Sequence, residues 1–106
     1  MIDCLSLFVS NILLGENAEQ QESPYANESL LFSHIAAVIG EMQARPSVAF
    51  TVVTNEVGWG VVPESPLGRA FRDFLGLANQ EMARNADTVW LTCAGLPMKL
   101  KPAPSA

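Results

Sequence analysis

Basic residues are scarce in this chain. Six lysines and arginines stand against eleven acids, for a formal net charge of −5. Neutralising a phosphate backbone or an anionic lipid surface takes a basic patch, so nucleic acid and charged membranes are poor partner classes. No apolar run reaches the ~18 residues that cross a bilayer. The opening MIDCLSLFVSNILLG is apolar, but no basic stretch precedes it and it carries Asp3. It does not read as a signal peptide, and a cytoplasmic location is expected. The two cysteines, Cys4 and Cys93, lie far apart with no C-x-x-C, and His34 is the single histidine, so a zinc site is not expected. Each cysteine adjoins an apolar run and reads as a buried, reduced thiol. His34 lies on or near the apolar stripe of its helix and reads as a packing residue.

What is present is an alternation of strand-like and helix-like stretches in 106 residues, 49% of them apolar, with a mean hydropathy of +0.21. One globular domain at most is expected, over residues 1–101, with a tail at 102–106. Residues 1–4 read as the end of a strand. The next stretch places Leu5, Phe8, Val9, Ile12 and Leu13 at helical spacing and ends at Gly15. ENAEQQESPYA is polar and reads as a surface loop. Asn27 is a candidate cap for a second helix with a stripe of Leu31, Ile35, Val38, Ile39 and Met42, ended by Pro46. Residues 48–54 form a continuous β-branched apolar run, which is how a strand covered on both faces of a parallel sheet looks. Ser65 and Pro66 mark the start of a third helix with a stripe of Leu67, Phe71, Phe74, Leu75, Ala78 and Met82. TVWLTCA at 88–94 reads as a second buried strand, and GLPMKLK as a turn at 95–97 followed by a short edge strand. The order implies an α/β layered fold.

In open parallel sheets, ligands bind outside the carboxyl ends of the strands. Two carboxylates fall there: Asp3 after the first strand and Glu56 after the second. A carboxylate so placed can hold Mg²⁺, directly or through water, or fix a substrate hydroxyl. The competing reading is that each caps a turn or a helix N-terminus. Arg69, Arg72 and Asp73 read as a solvated or interface face of the third helix. Trp59, between two glycines, reads as a residue that packs a ligand or a neighbouring subunit, or else covers the sheet edge.

TNEVGWGVVPES at 54–65, FRDFLGLANQEMARNAD at 71–87 and VWLTCAGLPMKLK at 89–101 together resemble the C-terminal half of the bifunctional adenosylcobinamide kinase / adenosylcobinamide-phosphate guanylyltransferase family. IDCLSLFVSNILL is similar to that family's acidic second nucleotide motif. The resemblance implies a RecA-like, P-loop α/β fold with a mostly parallel sheet and flanking helices. It implies phosphorylation of adenosylcobinamide by ATP or GTP with Mg²⁺, then GMP transfer from GTP onto that phosphate through a guanylyl-histidine. It also implies a homotrimer. It assigns Asp3 to the nucleotide and its Mg²⁺, and Asn55 and Glu56 to the same site. Gly58 and Gly60 would turn the chain tightly away from the sheet, and Pro63 would stiffen the approach to the helix cap.

The departure from the family is the glycine-rich loop: nothing in the 106 residues matches G-x-x-x-x-G-K-[ST]. His34 follows Asp3 and is not in the place of the guanylylated histidine. The resemblance therefore implies a member truncated at its N-terminus: a fragment, a misassigned start or a decayed gene. From a different class, the chain reads as a non-catalytic interaction module that pairs with another chain. An α/β hydrolase lacks its G-x-S-x-G here. In the family's geometry the strand entering the glycine-rich loop lies between the strands at 48–54 and 88–94. A slot roughly 9–10 Å wide, twice the usual strand spacing, is expected between them, in a chain that is unstable or aggregated when alone.

Overall fold

Three stretches carry apolar side chains at intervals of three and four, and all three fold as helices around one core. The computed structural model describes residues 1–15 and 23–103. In order these form β1 (Ile2–Asp3), α1 (Leu5–Leu13), a 3-10 turn (Pro24–Asn27), α2 (Glu28–Gln43), β2 (Val52–Val53), α3 (Pro66–Asn85), β3 (Val89–Cys93) and β4 (Leu96–Lys101). Most of the polar loop expected after Gly15, and the last three residues of the tail, lie outside the described residues.

Leu5, Val9 and Leu13 project from α1, Leu31, Ile35 and Ile39 from α2, and Ala70, Phe74, Leu75 and Ala78 from α3. These are all the buried apolar residues among those described, so every one of them is helical. Phe74 is fully buried, and Phe8, Ile12, Val52, Val57, Phe71 and Met82 pack around the cluster. Ser65 caps α3 by accepting from the Gly68 amide at 3.0 Å, with Pro66 at the first helical position. A Cβ on Gly68 would fall 2.9 Å from both Pro63 Cβ and Ser65 Oγ, so that glycine lets the incoming loop lie against the first turn. Asn27 does not cap α2 with its side chain. A 3-10 turn started by Ser23 precedes the helix, and the Asn27 amide donates instead to the Ile12 carbonyl at the end of α1, at 3.0 Å.

The strands depart further from expectation. β1 and β2 pair in parallel, Ile2 with Val52 and Asp3 with Val53. A strand extends only as far as it has a partner. With β1 two residues long, only Val52–Val53 of the 48–54 run is strand, and Val48, Phe50 and Val53 are exposed. The second sheet is antiparallel: β3 and β4 form a hairpin, so the sheet content is not mostly parallel. Its turn is Ala94–Gly95, at φ 52° and 77°, a two-residue loop with positive φ at both positions, and not 95–97. Pro97 lies inside β4 opposite Thr92, as an edge strand allows. Trp90, Leu96, Met98 and Leu100 are exposed, and so is Cys93 at the end of β3, while Cys4 is half-buried; the thiols are free but not both buried. β2 and β3 belong to different sheets, and Phe50 and Val52 do not pair with Val89 or Leu91.

The helical core fixes what a core mutation does. Truncating a buried phenylalanine costs about 3–5 kcal/mol, and a domain of this size has only ~5–15 kcal/mol in total. Phe74→Ala is expected to lose the cooperative urea transition followed by helical circular dichroism, whereas Val61→Thr at an exposed position leaves it in place. A Phe74→Ala protein that unfolds like the parent would contradict a core centred on α3.

Candidate nucleotide site

β1 and β2 run parallel, so their carboxyl ends open on the same side, and there the chain ties three elements together. Ser6, in the first turn of α1, donates from Oγ to Asn55 Oδ1 at 2.7 Å and accepts from the Asn55 amide at 3.2 Å. On the other side Asn79 of α3 donates from Nδ2 to the Asn55 carbonyl at 3.0 Å, and its Oδ1 accepts from Thr54 Oγ1 at 2.6 Å. Asn55 is thus held through its amide, carbonyl and side chain between two helices. Asn79 was not singled out from sequence. The available signal was an amide next to Ala78 at the border of the buried stripe of α3, where a helix meets the end of a strand.

The two carboxylates behave differently. The N-cap of α1 is Cys4, with no side-chain cap bond, and the Asp3 carboxylate, at the end of β1, makes no hydrogen bond or ion pair among the described residues. Asp3 is therefore not a helix cap. Glu56 does close a turn: Oε1 accepts from the Gly58 amide at 2.8 Å, and a Cβ on Gly58 would come 2.9 Å from that oxygen. Gly58 serves close approach of a carboxylate, not a left-handed turn; the positive φ among the glycines belongs to Gly95. A Cβ on Gly60 would meet nothing within 4 Å, so its expected role in a tight turn has no steric basis. Trp59 is 75% exposed, and Val61 and Val62 beside it are exposed.

α3 is stapled to this loop from its own first turn. Arg69 donates to the carbonyls of Pro63 and Glu64 at 3.1 and 2.8 Å, and so is not a free surface cation. Asp73 accepts from the Tyr25 hydroxyl at 2.6 Å and pairs with Arg72 at 3.3 Å, while the Tyr25 ring meets Phe74 edge-on. Asp73 and Arg72 thus tie α3 to the 3-10 turn on a face that stays partly solvated, in keeping with the solvated or interface face expected from sequence. The other basic residues are also engaged. Arg45 pairs with Glu41, Arg84 with Glu81, Lys99 lies over Trp90, and Lys101 donates to the carbonyls of Ala83 and Arg84. None of the chain's six cations pairs with Asp3 or Glu56 among the described residues. His34 is exposed, edge-on to Phe8. No group of three or more His, Cys, Asp or Glu among the described residues can hold a metal. A single free carboxylate fits Mg²⁺ held chiefly by phosphates and water, and nothing tighter.

The profile of a family described as cobinamide kinase / cobinamide phosphate guanyltransferase matches residues 1–100. The chain belongs to this family. It is 39% identical over 104 residues to the bifunctional adenosylcobalamin biosynthesis protein CobU of Salmonella typhimurium, covering 95% of this chain and 57% of that protein. Over the same length it is 38% identical to CobU of Escherichia coli, again covering 95% and 57%. To CobP of Pseudomonas aeruginosa it is 36% identical over 104 residues, covering 98% of this chain and 54% of the relative. The chain spans little more than half the length of the relatives it matches. No helix among the described residues of this family member is long and apolar enough to cross a membrane.

The tie between Tyr25 and Asp73 gives the family member a pH signature. The Tyr25 hydroxyl, and then Arg72, hold the Asp73 carboxyl below its usual range. The Asp73 contact, with some burial, raises Tyr25 against the opposing pull of Arg69 and Arg72. The Asp73 contribution is complete above an ordinary carboxyl pKa of about 4 and is lost as pH falls through the lowered folded value. The Tyr25 contribution is complete below about 10 and is lost as pH rises through the raised value. The difference in melting temperature between parent and Tyr25→Phe is therefore expected to be flat through neutral pH and to shrink at both extremes. A difference that does not vary across thermal melts from pH 3 to 11 would contradict the tie.

Proposed function

We propose that this chain forms one side of a nucleotide site in adenosylcobalamin biosynthesis. The reaction pair is transfer of a phosphoryl group from ATP or GTP to the hydroxyl of adenosylcobinamide, then of GMP from GTP to the resulting phosphate, with release of diphosphate. The fold is of the RecA-like, P-loop type, and the working assembly is a cytoplasmic homotrimer. The observation that carries this reading is the double tie of Asn55 to Ser6 and Asn79, which fixes the carboxyl ends of β1 and β2 beside the unengaged carboxylate of Asp3. Ligands bind at such strand ends in parallel sheets.

Each residue then has a task. Asp3 bears the charge that faces the nucleotide's Mg²⁺, and the metal would offset phosphate charge during transfer. Asn55 sets the position of the strand end. Glu56 shapes the loop leaving it through the Gly58 amide. The chain's own contribution to phosphates is small, because none of its six cations pairs with the carboxylates at the strand ends and its 106 residues contain no glycine-rich Gly-Lys-Ser loop. The absence of that loop from the 106 residues supports a second reading, in which this polypeptide is a non-catalytic half that pairs with another chain.

Phosphoryl transfer depends almost wholly on positioning and charge stabilisation. The purified 106-residue chain is accordingly expected to give no turnover of adenosylcobinamide with ATP or GTP above a blank, and turnover would overturn the half-site reading. The nucleotide reading itself is tested in a single polypeptide joining this chain to the stretch of the Salmonella typhimurium relative that it does not match. There Asp3→Asn should lower turnover at least ~10-fold, the scale of one lost electrostatic contact. Unchanged kinetics would remove Asp3 from the site.

A further inference from the structure

The cluster beyond β2 holds two carboxamides in different situations. Asn79 is used at both ends: Nδ2 donates to the Asn55 carbonyl at 3.0 Å, and Oδ1 accepts from Thr54 Oγ1 at 2.6 Å. Asn55 is used at one end only. Its Oδ1 accepts from Ser6 Oγ at 2.7 Å, and its Nδ2 makes no hydrogen bond among the described residues. Asn55 is exposed. The polar group it has left over is therefore a donor with two N–H bonds, at the carboxyl ends of β1 and β2.

Ser6 decides which way this amide faces. A carboxamide is nearly symmetric in shape, so only its hydrogen bonds separate one orientation from the flipped one. The Ser6 hydroxyl has a single proton, and its oxygen already accepts from the Asn55 backbone amide at 3.2 Å. The proton goes to Oδ1. With the amide turned over, two N–H groups of Asn55 would converge on one hydroxyl oxygen. The Ser6 proton would then lose the acceptor it has among the described residues. Neither partner can move away to relieve that conflict. Ser6 sits between the buried Leu5 and Val9 in α1, and Asn79 pins the Asn55 backbone from the other side.

We infer that Ser6 is a positioning residue that locks the Asn55 carboxamide with Nδ2 outward, and that this donor takes a phosphate oxygen of the bound nucleoside triphosphate. The inference rests on the nucleotide reading and adds to it the atom that meets the ligand and the residue that aims it. A phosphate is favoured over a base or a sugar by what lies alongside. The strand register sets Asp3 beside Val53, two residues before Asn55. A carboxylate can accept or face a metal but cannot donate, whereas the outward end of Asn55 can only donate. A phosphate oxygen with its Mg²⁺ offers the complement of both, and a hydrogen bond to a charged oxygen is stronger than one to a neutral group.

The test titrates GTP, with Mg²⁺, into the single polypeptide joining this chain to the unmatched stretch of the Salmonella typhimurium relative, and repeats the titration with inorganic triphosphate. Asn55→Asp keeps an acceptor for Ser6 and exchanges only the outward donor for an oxygen. It should weaken binding of both ligands ~10-fold or more, the scale of one bond to a charged group. Ser6→Ala should weaken GTP binding ~3-fold or more, because the freed amide spends part of its time with oxygen toward the phosphate. Ser6→Thr keeps the hydroxyl and should restore the parent affinity. In the Asn55→Asp background Ser6→Ala should cost much less, since a carboxylate presents an oxygen in either orientation. Equal losses in the two backgrounds would make Ser6 a structural residue only. Unchanged GTP binding by Asn55→Asp would remove the donor, and a loss seen with GTP but not with triphosphate would move it off the phosphates. Each of these results would overturn the inference and leave the nucleotide reading standing. A parent polypeptide that binds no GTP would sink the nucleotide reading, and this inference with it.

Discussion

A β-strand has two hydrogen-bonding edges, and in this protein β2 and β3 each use one. That single constraint sets the shape of the molecule. Helices satisfy their backbone internally, so α1, α2 and α3 can gather a core without help. Strands cannot, and their length and burial here follow the partners at hand. β1 offers two residues, so β2 is two residues long. β4 offers six, and β3 is correspondingly longer, but its second edge and much of its apolar surface face outward. The half of the domain made by helices is finished, and the half made by strands is open.

The candidate site lies on the boundary between these halves. Ser6 and Asn79 reach from the finished helices to hold the first residues beyond β2, so the strand end is placed by side chains and not by a continuous sheet. This explains how the ends of two very short strands keep a defined position. It also explains the charge balance. Arg69, Arg72 and Lys101 are used to fasten the loop before α3, the tie to Tyr25 and the hairpin. Among the described residues, neither Asp3 nor Glu56 forms an ion pair.

The helices were legible in the sequence because their evidence is local. Leu5, Val9 and Leu13, or Leu31, Ile35 and Ile39, recur at one-turn spacing, and Ser65–Pro66 announces a cap. The strands were only half legible. VAFTVV and TVWLTC have the composition of strands covered on both faces, but covering is a property of neighbours, and no composition shows whether the neighbours are present. The same reason made Cys93 look buried. Asp3 and Glu56 could be placed at strand ends from order alone, and Asn55 only through the family resemblance. Asn79 could not, because its part depends on a contact 24 residues away with Asn55. The Ala94–Gly95 turn was misplaced toward Pro97, since proline marks a turn in most settings and an edge strand is the exception.

Native-state hydrogen exchange on the isolated chain measures the central claim, that helices close the core while the strands stand open. Slow exchange should be confined to the interiors of α1, α2 and α3, with the amides of Phe74 and Leu75 slowest and opening only with global unfolding. The Thr92 amide and the backbone of 48–53 should exchange by local opening, orders of magnitude faster. Protection at Thr92 and Val53 equal to that at Phe74 would contradict the account, for it would mean that the two strands have closed on each other and no slot exists.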